Sequence, residues 1–336
     1  MSRKLLSYTA ISLVLGNSAI ADVPNVTVDI APVHSLVARV MEGVGSPKLI
    51  IPAGASPHEY SLRPSEAKSL QDADMVFWMG EDLAPWLEKS IETLARDAEI
   101  VTLLEESGTK LLDFREGALF EEHDHSDHDD HDDHDDHDDH DDDKDHDDHD
   151  DHDDDKDHDD NDEHAHGAHD PHAWLSIANA QTWLNLVAGK LSAADPENAG
   201  VYFANAAAGR AEIDSLVAEV NGILAPVRGK NFVVFHDAYQ YFETSFDFPA
   251  AGAISLGDAT DPSPARIAEI QGRVEDEDIN CVLSEPQFNP GLVETVLSGT
   301  DAKTGIIDPL GVNLEPGPNL YPDLIRNMAK SLAGCL

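Results

Sequence analysis

Two periods alternate through the first hundred residues of the chain. Residues 26–31 (Val-Thr-Val-Asp-Ile-Ala) are rich in β-branched side chains and alternate in polarity, and from 33 to 44 the apolar positions recur at helical spacing. That pattern predicts a strand and then a helix. Residues 48–51 read as a second strand, a loop rich in turn formers fills 52–60, and a helix starts at Pro64. A continuous apolar run at 74–80 has the character of a strand buried on both faces, followed by a helix at 86–94 and a fourth strand at 100–104. Strands alternating with helices four times over imply a parallel sheet with right-handed crossovers.

The periodicity stops near residue 121 and returns after 170. An amphipathic helix is expected at 177–191, with Trp183, Leu184, Leu186, Val187 and Leu191 as its core positions. Asp195-Pro196-Glu197 reads as an N-cap with proline at the first helical position, and alanine-rich helical sequence continues to about Leu224. A helix of about 29 residues is roughly 44 Å long, more than a small domain's width, and reads as a strut between two lobes. The second half repeats the alternation, with strands at 231–235, 281–283 and 305–307, an extended segment at 250–256, and helices at 264–274, 290–297 and 321–333. The expected fold class is α/β: two lobes, each with a parallel sheet flanked by helices, spanning 22–195 and 227–336 and joined by one long connecting helix over 196–226.

Arg3 and Lys4 precede an apolar run from Leu5 to Leu15 and a small-x-small signal, Ala19-Ile20-Ala21. Residues 1–21 are therefore expected to be a signal peptide cleaved before Asp22. No cysteine lies near that point to take a lipid, and no later apolar run reaches the roughly 20 residues that cross a bilayer. The mature protein is expected to be soluble and extracytoplasmic. Its two cysteines, Cys281 and Cys335, are expected to pair in an oxidising compartment. Two buried thiols, or half of a metal site, are the competing readings.

Charge separates the chain into two unlike parts. Of the net −46, residues 121–170 contribute −27, from 29 acidic residues against Lys144 and Lys156, leaving −19 on everything else. Nucleic acid is not an expected partner, because phosphate binding needs a basic surface. The acidic tract also holds fourteen of the eighteen histidines: His123, His125, His128, His131, His134, His137, His140, His146, His149, His152, His158, His164, His166 and His169. Twelve of its residues, 134–145, recur unchanged at 146–157. With no apolar side chains over most of its length, the tract is expected to be disordered over about 121–169. Histidines interleaved with hard, weak carboxylate ligands suit many exchanging metal contacts more than one rigid site. A low-complexity expansion tolerated on a surface loop is the bland alternative.

Outside the tract stand only His34, His58, His172 and His236. His34 sits at a helix start, where it is read either as a residue near the cleft or, more simply, as a helix-start histidine with a local hydrogen bond. The other three each lie at a junction between a strand or loop and the following helix, and Asp308 follows a strand in the same way. Ligands in open α/β sheets gather beyond strand carboxyl ends, and three neutral imidazoles can form a tetrahedral metal site with one position open to water or a carboxylate.

Four segments carry a resemblance to a known family: Gly54-Ala55-Ser56-Pro57-His58-Glu59-Tyr60-Ser61-Leu62-Arg63-Pro64-Ser65, Pro171-His172-Ala173-Trp174-Leu175-Ser176, Val234-Phe235-His236-Asp237-Ala238-Tyr239-Gln240-Tyr241-Phe242 and Ser284-Glu285-Pro286-Gln287-Phe288. They resemble the periplasmic zinc-binding proteins of ABC uptake transporters (ZnuA type, the cluster A-I solute-binding group), which also carry histidine-rich inserts before the second histidine. The resemblance implies one tightly held Zn2+ in the cleft between the lobes, bound by His58, His172 and His236 with Asp308 or water as fourth ligand, and weaker zinc sites in the tract. It implies a monomer in the periplasm, an inner-membrane ABC permease as partner, a periplasmic zinc chaperone as a further one, and a Cys281–Cys335 disulfide. Pro57 stands where some relatives carry an additional glutamate ligand. Manganese-binding cousins tend to have glutamate at the position of His236.

Three other readings compete with zinc delivery: a manganese or general divalent-metal buffer, an adhesin, and a zinc hydrolase. Three histidines and an open position can activate water, but the chain has no H-E-x-x-H helix, and Glu59, Glu243 and Glu285 have no spacing that marks a general base. An enzyme is not expected.

Overall fold

The computed structural model describes residues 23–115, 169–255, 264–276, 279–287 and 302–336, together with 291, 293, 297 and 300. The expected signal peptide, the histidine tract up to 168 and most of the helix expected at 290–297 lie outside the described residues.

Each half contains one four-stranded parallel sheet. The first, in the order β2-β1-β3-β4, comprises β1 (Val26–Val28), β2 (Lys48–Leu49), β3 (Met75–Trp78) and β4 (Glu99–Thr102). The second, β6-β5-β7-β8, comprises β5 (Asn231–His236), β6 (Gly252–Ser255), β7 (Ile279–Ser284) and β8 (Lys303–Ile306). Every residue of β1, β3 and β6 is buried, as helices on both faces of a parallel sheet require. The α-helices among the described residues are α1 (Ala31–Met41), α2 (Pro64–Gln71), α3 (Pro85–Leu94), α4 (Ile177–Ala194), α5 (Ala199–Leu224), α6 (Gln240–Phe246), α7 (Pro264–Asp276) and α8 (Leu320–Cys335). No described helix is long and apolar enough to cross a membrane.

Local chemistry accounts for several boundaries. Proline opens α2 and α3, where its missing N–H costs nothing. The Glu66 carboxylate accepts from the Arg63 backbone N–H at 2.7 Å and the Tyr60 hydroxyl at 2.9 Å, fixing the start of α2. The connecting helix runs without a break over 196–227, as 26 α-helical residues with a short 3-10 turn at each end, Pro196–Asn198 and Ala225–Val227, each containing a proline. A buried stripe, Tyr202, Ala206, Gly209, Ile213, Leu216, Val220 and Leu224, runs its whole length at spacings of three and four. That stripe packs on α4, α1 and α8, so α5 is the expected strut between the lobes, seated on both halves.

The halves share a core. One apolar cluster extends from Val26 through α5 to Leu336, and polar bonds cross with it. The Tyr321 backbone N–H of α8 donates to Ser35 Oγ of α1 at 2.9 Å, and Trp174 Nε1 donates to the Pro309 carbonyl at 2.9 Å.

Cys281 of β7 and Cys335 at the end of α8 form a disulfide, with Cα atoms 5.7 Å apart and 54 positions between them in sequence. β8 carries glycine where α8 crosses it, since a Cβ on Gly305 would lie 2.8 Å from Leu283 Cδ2 and 3.2 Å from Cys335 Sγ. Closing a loop of this length stabilises the fold by about 4 kcal/mol on the chain-entropy account. The Cys281→Ala, Cys335→Ala double variant is expected to lose about that much in urea unfolding. A loss under about 1 kcal/mol would show that the unfolded chain is compact without the bridge.

Candidate metal centre

His58, His172 and His236 converge. One ring nitrogen of each lies within 4.8 Å of the others, although the three residues come from chain segments more than sixty positions apart.

His58 is carried by the loop after β2. The chain turns there through Gly54, whose φ of +85° suits glycine. Trp86 Nε1 donates to the Pro57 carbonyl at 2.8 Å, and the His58 backbone N–H donates to Ser56 Oγ at 3.3 Å. The first holds the loop against α3 and the second closes the loop on itself, and the His58 imidazole is half-buried at the cleft.

His172 is buried at the start of a 3-10 turn, Ala173–Leu175. The Asp170 carboxylate accepts from its backbone N–H at 2.9 Å and from its ring Nδ1 at 2.7 Å. Asp170 is fixed in turn, its backbone N–H donating to the Leu112 carbonyl at 2.8 Å and its carbonyl accepting from the Tyr241 hydroxyl at 2.9 Å.

His236 is the last residue of β5, where the sequence pattern placed it one position beyond the strand. The reason is that the parallel ladder with β6 continues to a His236–Ser255 pair. Its Nδ1 donates to Glu285, which lies just past β7, the strand beside β5.

A carboxylate on Nδ1 fixes the tautomer. The neutral rings of His172 and His236 therefore carry their lone pairs on Nε2, and these two Nε2 atoms are 3.4 Å apart. Two bonds of about 2.05 Å meeting at a tetrahedral angle separate their nitrogens by roughly 3.3 Å. The spacing is that of two imidazoles sharing one zinc-sized ion. The carboxylate-backed imidazole is also the usual support of a metal ligand, orienting the ring and raising its basicity. The cavity among the three rings, walled by Trp174, Gln287, Pro309 and Leu310, has a volume of about 20 Å³, room for one small ion and at most one further small ligand.

The other expected site residues lie elsewhere. Asp308 is not one of the converging group: its carboxylate accepts from the backbone N–H groups of Leu310, Gly311 and Val312 at 3.0, 2.9 and 2.7 Å, closing its own turn. That turn presents Pro309 and Leu310 to the cavity. His34 is buried away from the site with Nε2 on the Pro47 carbonyl at 3.1 Å, and burial lowers its pKa. Of the tract histidines only His169 is described; its Nδ1 pairs with Asp113 at 2.8 Å, and the two residues form an isolated antiparallel bridge. The remaining thirteen lie outside the described residues. Asp170, Glu285 and Gln287, all at the site, were not singled out as site residues from the sequence.

Comparison with known proteins agrees over the whole fold. The family described as zinc-uptake complex component A, periplasmic (ZnuA) matches residues 26–335. The chain is 48% identical over 321 residues to the high-affinity zinc uptake system protein ZnuA of Brucella abortus, covering 96% of this chain and 94% of that protein. It is 46% identical over 334 residues to its namesake in Paracoccus denitrificans, covering 98% of each. A crystal structure of ZnuA superimposes with a TM-score of 0.70 at 18% identity, over 94% of this chain and 99% of that one.

Proposed function

The chain belongs to the ZnuA family of periplasmic zinc-uptake proteins, and on that premise we propose that it captures Zn2+ with high affinity and delivers it to an inner-membrane ABC permease. His58, His172 and His236 are the proposed ligands, with Asp170 and Glu285 holding the second and third in the metal-binding tautomer. One observation carries this reading: two buried imidazoles, each anchored at Nδ1 by a carboxylate, bring their Nε2 atoms to the separation a tetrahedral ion demands. Three neutral nitrogen donors suit zinc better than manganese, which prefers carboxylate, carbonyl and water oxygens.

Asp308 is left out of the proposed ligand set, because its carboxylate closes its own turn and is not among the converging ligand atoms. The family supplies a solute-binding protein and not an enzyme, and a cavity of about 20 Å³ has little space for an ester or peptide beside a metal. The histidine tract is read as an accessory zinc scavenger whose weak sites feed or buffer the cleft. The expected place of work is the periplasm, reached through the signal peptide expected at 1–21.

The test separates cleft from tract. A protein lacking residues 123–168, which keeps the His169–Asp113 contact at the base of the tract, is titrated with Zn2+ against a chromophoric chelator. One tight equivalent is expected, with an affinity matching that of the full mature chain. Loss of all tight binding on deletion would move the cargo site into the tract.

A further inference from the structure

Gln287 is the polar residue at the cleft that the fold does not account for. Its side-chain Nε2 and Oε1 are both buried, and neither has a hydrogen-bond partner among the described residues. Buried amides are almost always bonded, because leaving one unsatisfied forfeits its hydration with no return. Here both ends of one carboxamide stand idle on the wall of the cavity where the three imidazoles meet. Around it the other polar groups have partners: Glu285 holds His236, Asp308 closes its turn, and the Pro309 carbonyl takes the Trp174 indole N–H.

A neutral amide oxygen is not among the usual zinc donors, which are imidazole, thiolate and carboxylate. The carboxamide is better matched to a molecule bound to the metal. A zinc-bound water donates through its hydrogens and can accept at its remaining lone pair, so it can satisfy Oε1 and Nε2 in turn. With Asp308 committed to its own turn, three protein ligands leave one tetrahedral position for such a water, and the cavity has room for one.

We propose that Gln287 is a positioning residue that anchors the exogenous fourth ligand, a water molecule, on the ion held by His58, His172 and His236. This rests on the three-histidine reading of the site. Anchoring the water closes the tetrahedron without an anionic protein ligand, which favours a four-coordinate ion over metals that need six oxygen donors. It also keeps the fourth position exchangeable, as release of a cargo ion requires.

The experiment uses the full mature chain with Gln287→Leu, and Gln287→Met as a second apolar replacement in case leucine does not fold; far-UV circular dichroism of the metal-free proteins establishes folding. Zinc affinity is expected to fall about 10- to 100-fold, as for loss of other outer partners of a metal site. The Co2+-substituted protein reports the fourth position directly. Its visible bands are expected to shift on replacement, and thiocyanate is expected to bind the variant more tightly than the parent because the competing water is no longer held. Gln287→Glu, which keeps an acceptor at the same place, is expected to recover most of the affinity lost in the leucine variant. Unchanged zinc affinity and unchanged Co2+ bands in a folded variant would overturn the proposal. If His172→Ala in the same series kept full affinity, the three-histidine reading would be the one at fault.

Discussion

Replacing His172 by alanine is expected to lower zinc affinity by more than about 100-fold, beyond what the loss of an outer partner of a metal site costs. The imidazole is nearly fully buried, and its Nε2 lies 3.4 Å from that of His236. Removing it leaves two nitrogen donors and strands the Asp170 carboxylate, which loses its ring partner but keeps the backbone N–H. Asp170→Ala makes the graded comparison. It retains all three imidazoles and releases only the tautomer and ring orientation of one, so a 10- to 100-fold loss is expected. Competitive titration against a chromophoric chelator measures both. If the two variants lost affinity equally, Asp170 would be acting as a ligand itself; if His172→Ala lost less than tenfold, the tight site would lie elsewhere.

The contrast between these residues also marks what the sequence could disclose. Parallel strands buried on both faces read as unbroken apolar runs, so 74–80 was legible as β3, and the helices were legible from their period and their opening prolines. His58, His172 and His236 stood out because each is an isolated histidine at an element boundary. Their convergence is a matter of tertiary register, which no spacing encodes. Asp170 was hidden for a different reason: it ends a tract so rich in aspartate that one more carries no signal. Glu285 acquires its partner only because β7 lies beside β5 in the sheet, a pairing between segments about fifty residues apart. Asp308 shows how one residue type serves two ends. An aspartate before Pro-Leu-Gly can cap a turn as readily as it can ligate, and in the fold its oxygens are taken by three backbone N–H groups.

Arg115 predicts the largest stability effect among single replacements. It lies eight positions before the first tract histidine, and its guanidinium reaches the other half of the molecule. There Nε donates to Asp237 Oδ2 at 2.9 Å, Nη1 donates to Glu243 Oε2 at 2.8 Å, and Nη2 is shared between the two carboxylates. Asp237 and Glu243 are nearly fully buried, and Asp237 directly follows His236. Burial pulls the guanidinium pKa down, but the bonds from both carboxylates outweigh it and hold the group above its ordinary value.

Arg115→Ala would leave two acids facing each other in the interior with no counter-charge. Breaking a buried ion pair from one side costs about 3–5 kcal/mol, and urea unfolding of the metal-free protein is expected to show a loss of that size. Lysine should restore only part of it, since a point charge cannot engage two carboxylates through a planar fork. The deficit should also depend on pH with a definite sign. Burial already raises the Glu243 pKa in the folded protein, and Arg115 opposes that rise. Without the arginine the folded-state value climbs further above the unfolded one. The folded variant then holds a proton that its unfolded chain has released, so its stability declines as pH increases across that interval. The gap between variant and parent is therefore expected to widen as pH rises through the variant's folded-state value for Glu243 and to narrow below it, as Glu243 protonates. A gap that stayed constant with pH would mean that the lost stability came from packing of the arginine stem and not from its charge.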